Sequence, residues 1–165
     1  KHVAENSNPL IGYYSLLIFA GLRPTEGKRV RWKDINFQTK ELYVRPGKTG
    51  ARHIALEPVA LEWLKWHLEQ SPKDAPFIEL KALPNREKEI RSAVLNGNWI
   101  QDGLRHGFAT YFKNLKKNVN LTSDVMGNSV GIVKKHYART IPDQECQSFW
   151  ALTPDKVLAD KPSGN

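Results

Sequence analysis

Cysteine is nearly absent from this sequence: Cys146 stands alone. A single thiol excludes an internal disulfide and a cysteine-based zinc cluster, which fits a reducing compartment. Methionine is as scarce, with Met126 only, and the chain opens on Lys1. The expectation is therefore a piece of a longer protein. Long apolar runs are missing too. No segment approaches the ~20 residues that a membrane-spanning helix needs, and the first residues lack a signal-peptide pattern. A soluble, intracellular, cytoplasmic protein is expected. Acidic residues are in deficit: 17 Asp plus Glu against 25 Lys plus Arg leave a net charge of +8. That excess points to a polyanionic partner, nucleic acid above all. A membrane surface fits less well, because no helix pairs a basic face with an aromatic one.

What is present is enough for a core. The 165 residues are 40% hydrophobic and include five Trp and six Phe, which suits one globular domain over residues 1–151. Residues 8–22, "NPLIGYYSLLIFAGL", predict a buried helix stopped by Gly21, and Pro24 opens a short helix or turn. Short β-prone pieces predict strands near 34–37, 41–45 and 52–56, with polar turns at 38–40 and 46–50. Pro58 opens a helix to about Gln70, with Val59, Trp63 and Trp66 on one side. A Pro-rich loop over 71–84 precedes a charged helix near 85–95 and a turn at 96–98. A longer helix runs from about 101 to Lys117, its apolar seam formed by Leu104, Phe108, Phe112 and Leu115. Shorter helices follow near 121–126, from Ser129 to Tyr137, and over 143–151. Residues 152–165 read as a polar, mobile tail. The fold class is mainly α with a small three-stranded antiparallel sheet (α+β).

Arg105 poses the functional question. It sits in the first turn of the 101–117 helix beside the apolar seam, where a charge is costly without a partner. Read singly, each polar candidate has an ordinary explanation. Arg23 caps a helix or pairs with Glu26. Arg105 pairs with Asp102 at i, i+3. Lys48 is a solvated turn lysine. Tyr137 is a half-buried core tyrosine. Asp102 is an N-cap, and Asn128 a turn residue. Their order is what is specific. "AGLRPTE" carries Arg23 and Glu26. "PGKTGARHIAL" carries Lys48 and Arg52. "DGLRHGFAT" carries Arg105 and His106, and "VMGNSVGIVKKHYA" carries Asn128 and Tyr137. Arg105 lies 23 residues before Asn128, which lies nine before Tyr137.

In this set and spacing, over roughly residues 8–150, the chain resembles the catalytic domain of the tyrosine recombinases, the phage integrase family. The resemblance implies a recombinase-like catalytic core that breaks and rejoins DNA in site-specific recombination, integration or excision. Tyr137 would attack the phosphorus and form a 3′-phosphotyrosyl bond, and the 5′-hydroxyl would leave. Arg23 and Arg105 would hold the phosphate, since guanidinium forks match two phosphate oxygens. They would also ease ionisation of the phenol, whose ordinary pKa is about 10. Lys48 would protonate the leaving oxygen, Glu26 would hold Arg23 or its neighbours in place, and His106 would support the site. DNA contacts fall to Arg23, Lys48, Arg52 and Arg105. No metal and no cofactor is implied. The partner is double-stranded DNA, gripped by a homotetramer whose subunits are monomers when isolated and exchange C-terminal segments, here residues 139–151. In a prokaryote the protein would be nucleoid-associated. An N-terminal clamp domain, usual in the family, has no counterpart in this sequence.

Two positions depart from the family pattern. Asp102 stands where a histidine is usual, and a carboxylate about 5 Å from a phosphate would cost roughly 3–4 kcal/mol at an effective dielectric near 20. Asn128 stands where His or Trp is usual, a milder change because all three donate an N–H. The alternative reading is thus a slowed or inactive DNA-binding module of the same fold. A type IB topoisomerase-like relaxation, with the same chemistry and no partner exchange, ranks third.

Overall fold

A computed structural model describes residues 10–47, 50–72, 74–81, 83–95, 102–137 and 139–159. Its centre is α1 (Ile11–Phe19), whose apolar residues lie on every side, so that eight of nine are buried. Helix α1 packs against α3 (Pro58–Gln70) and α5 (Gly103–Lys116). It ends where Gly21 takes φ +66°, and a Cβ there would come within 2.2 Å of the Phe108 ring. Gly21 thus allows the chain to turn and lets α5 approach closely.

Next come α2 (Pro24–Gly27), a 3₁₀ turn at Trp32–Asp34, and strands β1 (Ile35–Asn36), β2 (Glu41–Val44) and β3 (Arg52–Ala55). The sheet is antiparallel in the order β1-β2-β3. Ile35 pairs with Leu42, Leu42 with Ile54, and Val44 with Arg52. Side chains directly opposite share a face. The pleat therefore puts Arg52 on the core side with Val44, while Tyr43 and His53 meet on the outside with ring centres 5.0 Å apart.

Helices α4 (Leu83–Leu95), α6 (Val119–Met126), α7 (Val130–His136), α8 (Asp143–Trp150) and α9 (Pro154–Ala159) complete the chain. Asn118 caps α6 by accepting Leu121 N–H at 3.0 Å, and Ser129 caps α7 as expected. Mainly helical with one three-stranded antiparallel sheet is the class the sequence indicated. Among the described residues no helix is long and apolar enough to cross a membrane.

Two expectations need correction. Leu115 is not part of the seam: it is exposed, and the last inward position on α5 belongs to Asn114. The polar tail does not begin at residue 152, because the chain is packed on the domain through α9. Leu152 O accepts Trp63 Nε1–H at 2.7 Å, and Val157 and Leu158 pack on the core, so α9 is docked on α3. Segment 139–151, the stretch expected to exchange between subunits, packs here on α1 and α5. Tyr111 stacks on Phe149 at 4.0 Å with rings nearly parallel, and Trp150 lies against Phe19, Phe108 and Phe112. The turn at 96–98 lies outside the described residues.

Candidate functional site

The site is assembled at the C-terminal end of α6. Gly127 takes φ +59°, its N–H bonds Asp124 O, and Asn128 N–H bonds Ser123 O, which makes a Schellman stop. A helix end leaves carbonyls without intrahelical partners and carries partial negative charge. Three arginines from distant parts of the chain meet those carbonyls. Arg52 Nε donates to Val125 O at 2.9 Å. Arg105 Nη2 donates to Met126 O at 2.6 Å, and Arg23 Nη2 to Gly127 O at 3.0 Å. Arg105 Nη1 also donates to Gly21 O.

Asn128 joins the two arginines of the motif. Its Oδ1 accepts Arg23 Nη2 at 2.6 Å and Arg105 Nη2 at 3.2 Å. Only the oxygen of an amide can accept two guanidinium N–H groups, so the Nδ2 amine is directed elsewhere as a donor. Glu26 supplies the anion. It accepts Arg23 backbone N–H at 2.8 Å, capping α2, and receives Arg52 through both terminal nitrogens at 2.9 and 3.1 Å. Arg23 Nη1 reaches it at 3.3 Å. Burial would raise the Glu26 pKa, but the hydrogen bonds from Arg52 and the Arg23 backbone hold it down to about 2.

Arg105 is only 5% exposed. Burial, with the like charge of Arg23 second, brings its pKa down to about 10, so it remains a cation at neutral pH. The pairing of Arg105 with Asp102 is not formed, since the guanidinium is bound by carbonyls and Asn128. Its costly position is thus met by acceptors inside the protein: Gly21 O, Met126 O and Asn128 Oδ1. Asp102 occupies the N-cap position of α5, yet its side chain makes no capping hydrogen bond and its φ is +53°. Asp102, Arg105 and Lys28 line a cavity of about 160 Å³ between α1, α2, α4 and α5.

Tyr137 closes α7 and is buried. The His106 ring lies 5.3 Å from it, although His106 is itself exposed. Arg105 and Arg23 are close enough to pull the phenol pKa down, as expected, but burial pushes it up further and Asp102 adds to the rise. The net shift is upward because burial outweighs the arginines, whose own effect is the easing that was expected.

The structure therefore brings together Arg23, Glu26, Arg105, Asn128 and Tyr137, with His106 and Asp102 beside them. Lys48 lies outside the described residues. Two residues before it, Pro46 O accepts Arg29 Nη1–H at 2.7 Å, which ties the turn after β2 to the residues that follow α2. Arg52, expected on DNA, faces inward with both ends of its fork on Glu26. Sequence reasoning missed the acceptors: the carbonyls of Gly21, Val125, Met126 and Gly127 carry no side-chain signal. The Gly-Asn pair after the 121–126 helix was the available clue. Among the described residues no three His, Cys, Asp or Glu side chains group as metal ligands.

A buried arginine and a half-buried one at a helix end, joined by one amide and faced by a tyrosine, on a helical domain with a three-stranded sheet, define the catalytic-domain class of the tyrosine recombinases. The chain belongs to that class by sequence as well: residues 4–141 match the phage integrase family, of which it is a member. It is 24% identical over 156 residues to the prophage integrase IntF of Escherichia coli K12, an alignment covering 83% of this chain and 32% of IntF. Its fold matches the crystal structure of XerA recombinase with a TM-score of 0.65 at 16% identity, covering 97% of this chain and 61% of that one. The Tn1549 transposon integrase in complex with transposon right end DNA matches with a TM-score of 0.62 at 17% identity, covering 96% and 60%. The chain thus spans about a third of IntF and about three-fifths of those two structures.

Proposed function

We propose that this chain is the DNA-cleaving and rejoining part of a site-specific recombinase acting in integration or excision. The observation that carries the reading is the convergence of Arg23, Arg105, Asn128 and Tyr137 at the end of α6. On this reading a phosphodiester enters beside the two guanidiniums, which exchange part of their carbonyl bonding for phosphate oxygens. Tyr137 Oη attacks the phosphorus, an O–P bond forms to the phenol, and the bond to the 5′-oxygen breaks. The phenol proton passes to solvent water, the leaving oxygen takes a proton from Lys48, and Lys48 regains one from solvent, so no net proton is gained or lost. Rejoining reverses these steps, and the phosphotyrosyl bond conserves the energy that rejoining needs. Glu26 and Arg52 act on Arg23 and the end of α6. Double-stranded DNA is the substrate, which matches the +8 charge and the DNA bound to the Tn1549 integrase. A homotetramer on DNA, monomers when free, and residence on intracellular DNA belong to the same proposal.

DNA nicked near the cleavage position tests it, because loss of the short product traps the covalent adduct. The unmodified protein should form the adduct, and Tyr137→Phe should form none while binding DNA nearly as well. Binding by both proteins without any adduct would overturn the proposal.

Asp102 favours a second reading, a DNA-binding module with cleavage lost or slowed, because it opposes ionisation of Tyr137. Asp102→His separates the two. Faster adduct formation means the carboxylate handicaps an active enzyme. An unchanged or lower yield gives Asp102 a role of its own.

A further inference from the structure

Asn114 is an odd residue for its place. Asparagine is a poor helix former, and a buried polar group is costly unless satisfied, yet Asn114 is 5% exposed on α5. Both ends of its amide are hydrogen-bonded. Nδ2 donates to Thr110 O at 2.8 Å, one turn back on its own helix. Nδ2 also donates to Arg139 O at 3.2 Å, and Oδ1 accepts Ile141 N–H at 3.4 Å. Two carbonyls and one N–H as partners leave the amide a single orientation. Lys113 Nζ donates to the same Arg139 carbonyl at 3.0 Å. Ile141 is 4% exposed, so the clamped segment is seated in the core and is not a passing loop.

The clamped residues begin two positions after Tyr137. Arg105 lies on the same helix, nine residues before Asn114, or about 13 Å along a rigid axis. One element therefore carries both the buried guanidinium and the anchor for the chain that leaves the tyrosine. We propose that Asn114 is a positioning residue that fixes the Tyr137 phenol relative to Arg105. This role rests on the reading of Tyr137 as the nucleophile. Asn114 touches no reacting group; it acts by holding residues 139–141 along α5. Freed from that clamp, Tyr137 would keep α7 and its contacts in the core but lose the restraint on the chain that leaves it.

The test places 3-fluorotyrosine at position 137 alone and compares the unmodified protein with Asn114→Ala and with Asn114→Asp, which keeps the volume and the acceptor for Ile141. The expected result is a fluorine resonance that moves towards that of free fluorotyrosine in both variants. On nicked DNA the adduct should form about tenfold to a hundredfold more slowly at unchanged DNA affinity, the penalty of a displaced nucleophile. A resonance that stays in place while only the melting temperature falls would overturn the proposal and make Asn114 structural. Hydrogen exchange on the unmodified protein guards against variants that do not fold, since an unprotected Ile141 amide would also overturn it. If the unmodified protein forms no adduct, the cleavage reading fails, and the fluorine and exchange results still decide whether Asn114 places Tyr137.

Discussion

Glu26 is the residue on which the site's electrostatics turn. Its carboxyl is held at about 2 against an ordinary 4.5, a depressed value. A depressed carboxyl contributes stability above its unfolded pKa, and that contribution is lost as pH falls from about 4.5 towards 2. The difference corresponds to about 3 kcal/mol. Glu26→Gln should therefore lower the unfolding free energy at pH 7 by about that amount and flatten its dependence on pH below 4.5, as measured by denaturant titration across pH. Arg52 gives a sharper contrast between two roles. A phosphate-contacting arginine contributes about 0.9 to the log–log slope of DNA affinity against salt. Arg52 is instead bound to Glu26 and Val125 O, with 13% of its side chain exposed. Arg52→Gln should leave the salt slope unchanged and lower the melting temperature. A slope that falls by about one unit would return Arg52 to the DNA.

At the scale of elements, the end of α6 is the organising feature. A helix stopped by Gly127 in the left-handed region presents carbonyls that β3, the loop before α2, and α5 all reach. Gly127→Ala would force a Cβ into that conformation at a cost of about 1 kcal/mol, visible as a shift in thermal unfolding. Gly21→Ala should be worse, because the strain at φ +66° adds to a contact of 2.2 Å with Phe108. A loss above about 2 kcal/mol is expected, since both overpacking and backbone strain act there. Gly21 O is also an acceptor of Arg105, so the same variant should weaken the arginine's placement.

At the scale of the whole molecule, the C-terminal elements close the core. Helix α8 stacks aromatic residues on α1 and α5, and α9 follows, tied through Leu152 to Trp63. Ending the chain after Trp150 removes the acceptor of Trp63 Nε1–H and uncovers the apolar surface beneath Val157 and Leu158. The expected cost is about 1–3 kcal/mol in unfolding experiments, from one unmet buried donor and lost burial. Had the tail been the mobile segment its composition indicated, the truncation would be silent. Short polar segments carry few periodic apolar positions, so two half-buried residues in "DKVLAD" do not stand out in sequence.

The amino-acid sequence determined the helical class, the hairpins and most helix limits, because hydrophobic period, proline, glycine and cap residues act over a few neighbours. It also marked Arg23, Arg105, Asn128 and Tyr137, through order and spacing along the chain. Tertiary structure alone decided what those groups face. The arginines were legible as residues, but their acceptors are backbone carbonyls, which every residue possesses and which only folding sorts into exposed and bonded. Arg52 and Asn114 turned inward because a strand register and a helix rotation, set by packing of the whole core, chose their faces. The balance on Tyr137 likewise depends on burial and on the three-dimensional distances to Arg105, Arg23 and Asp102, quantities that no linear spacing contains.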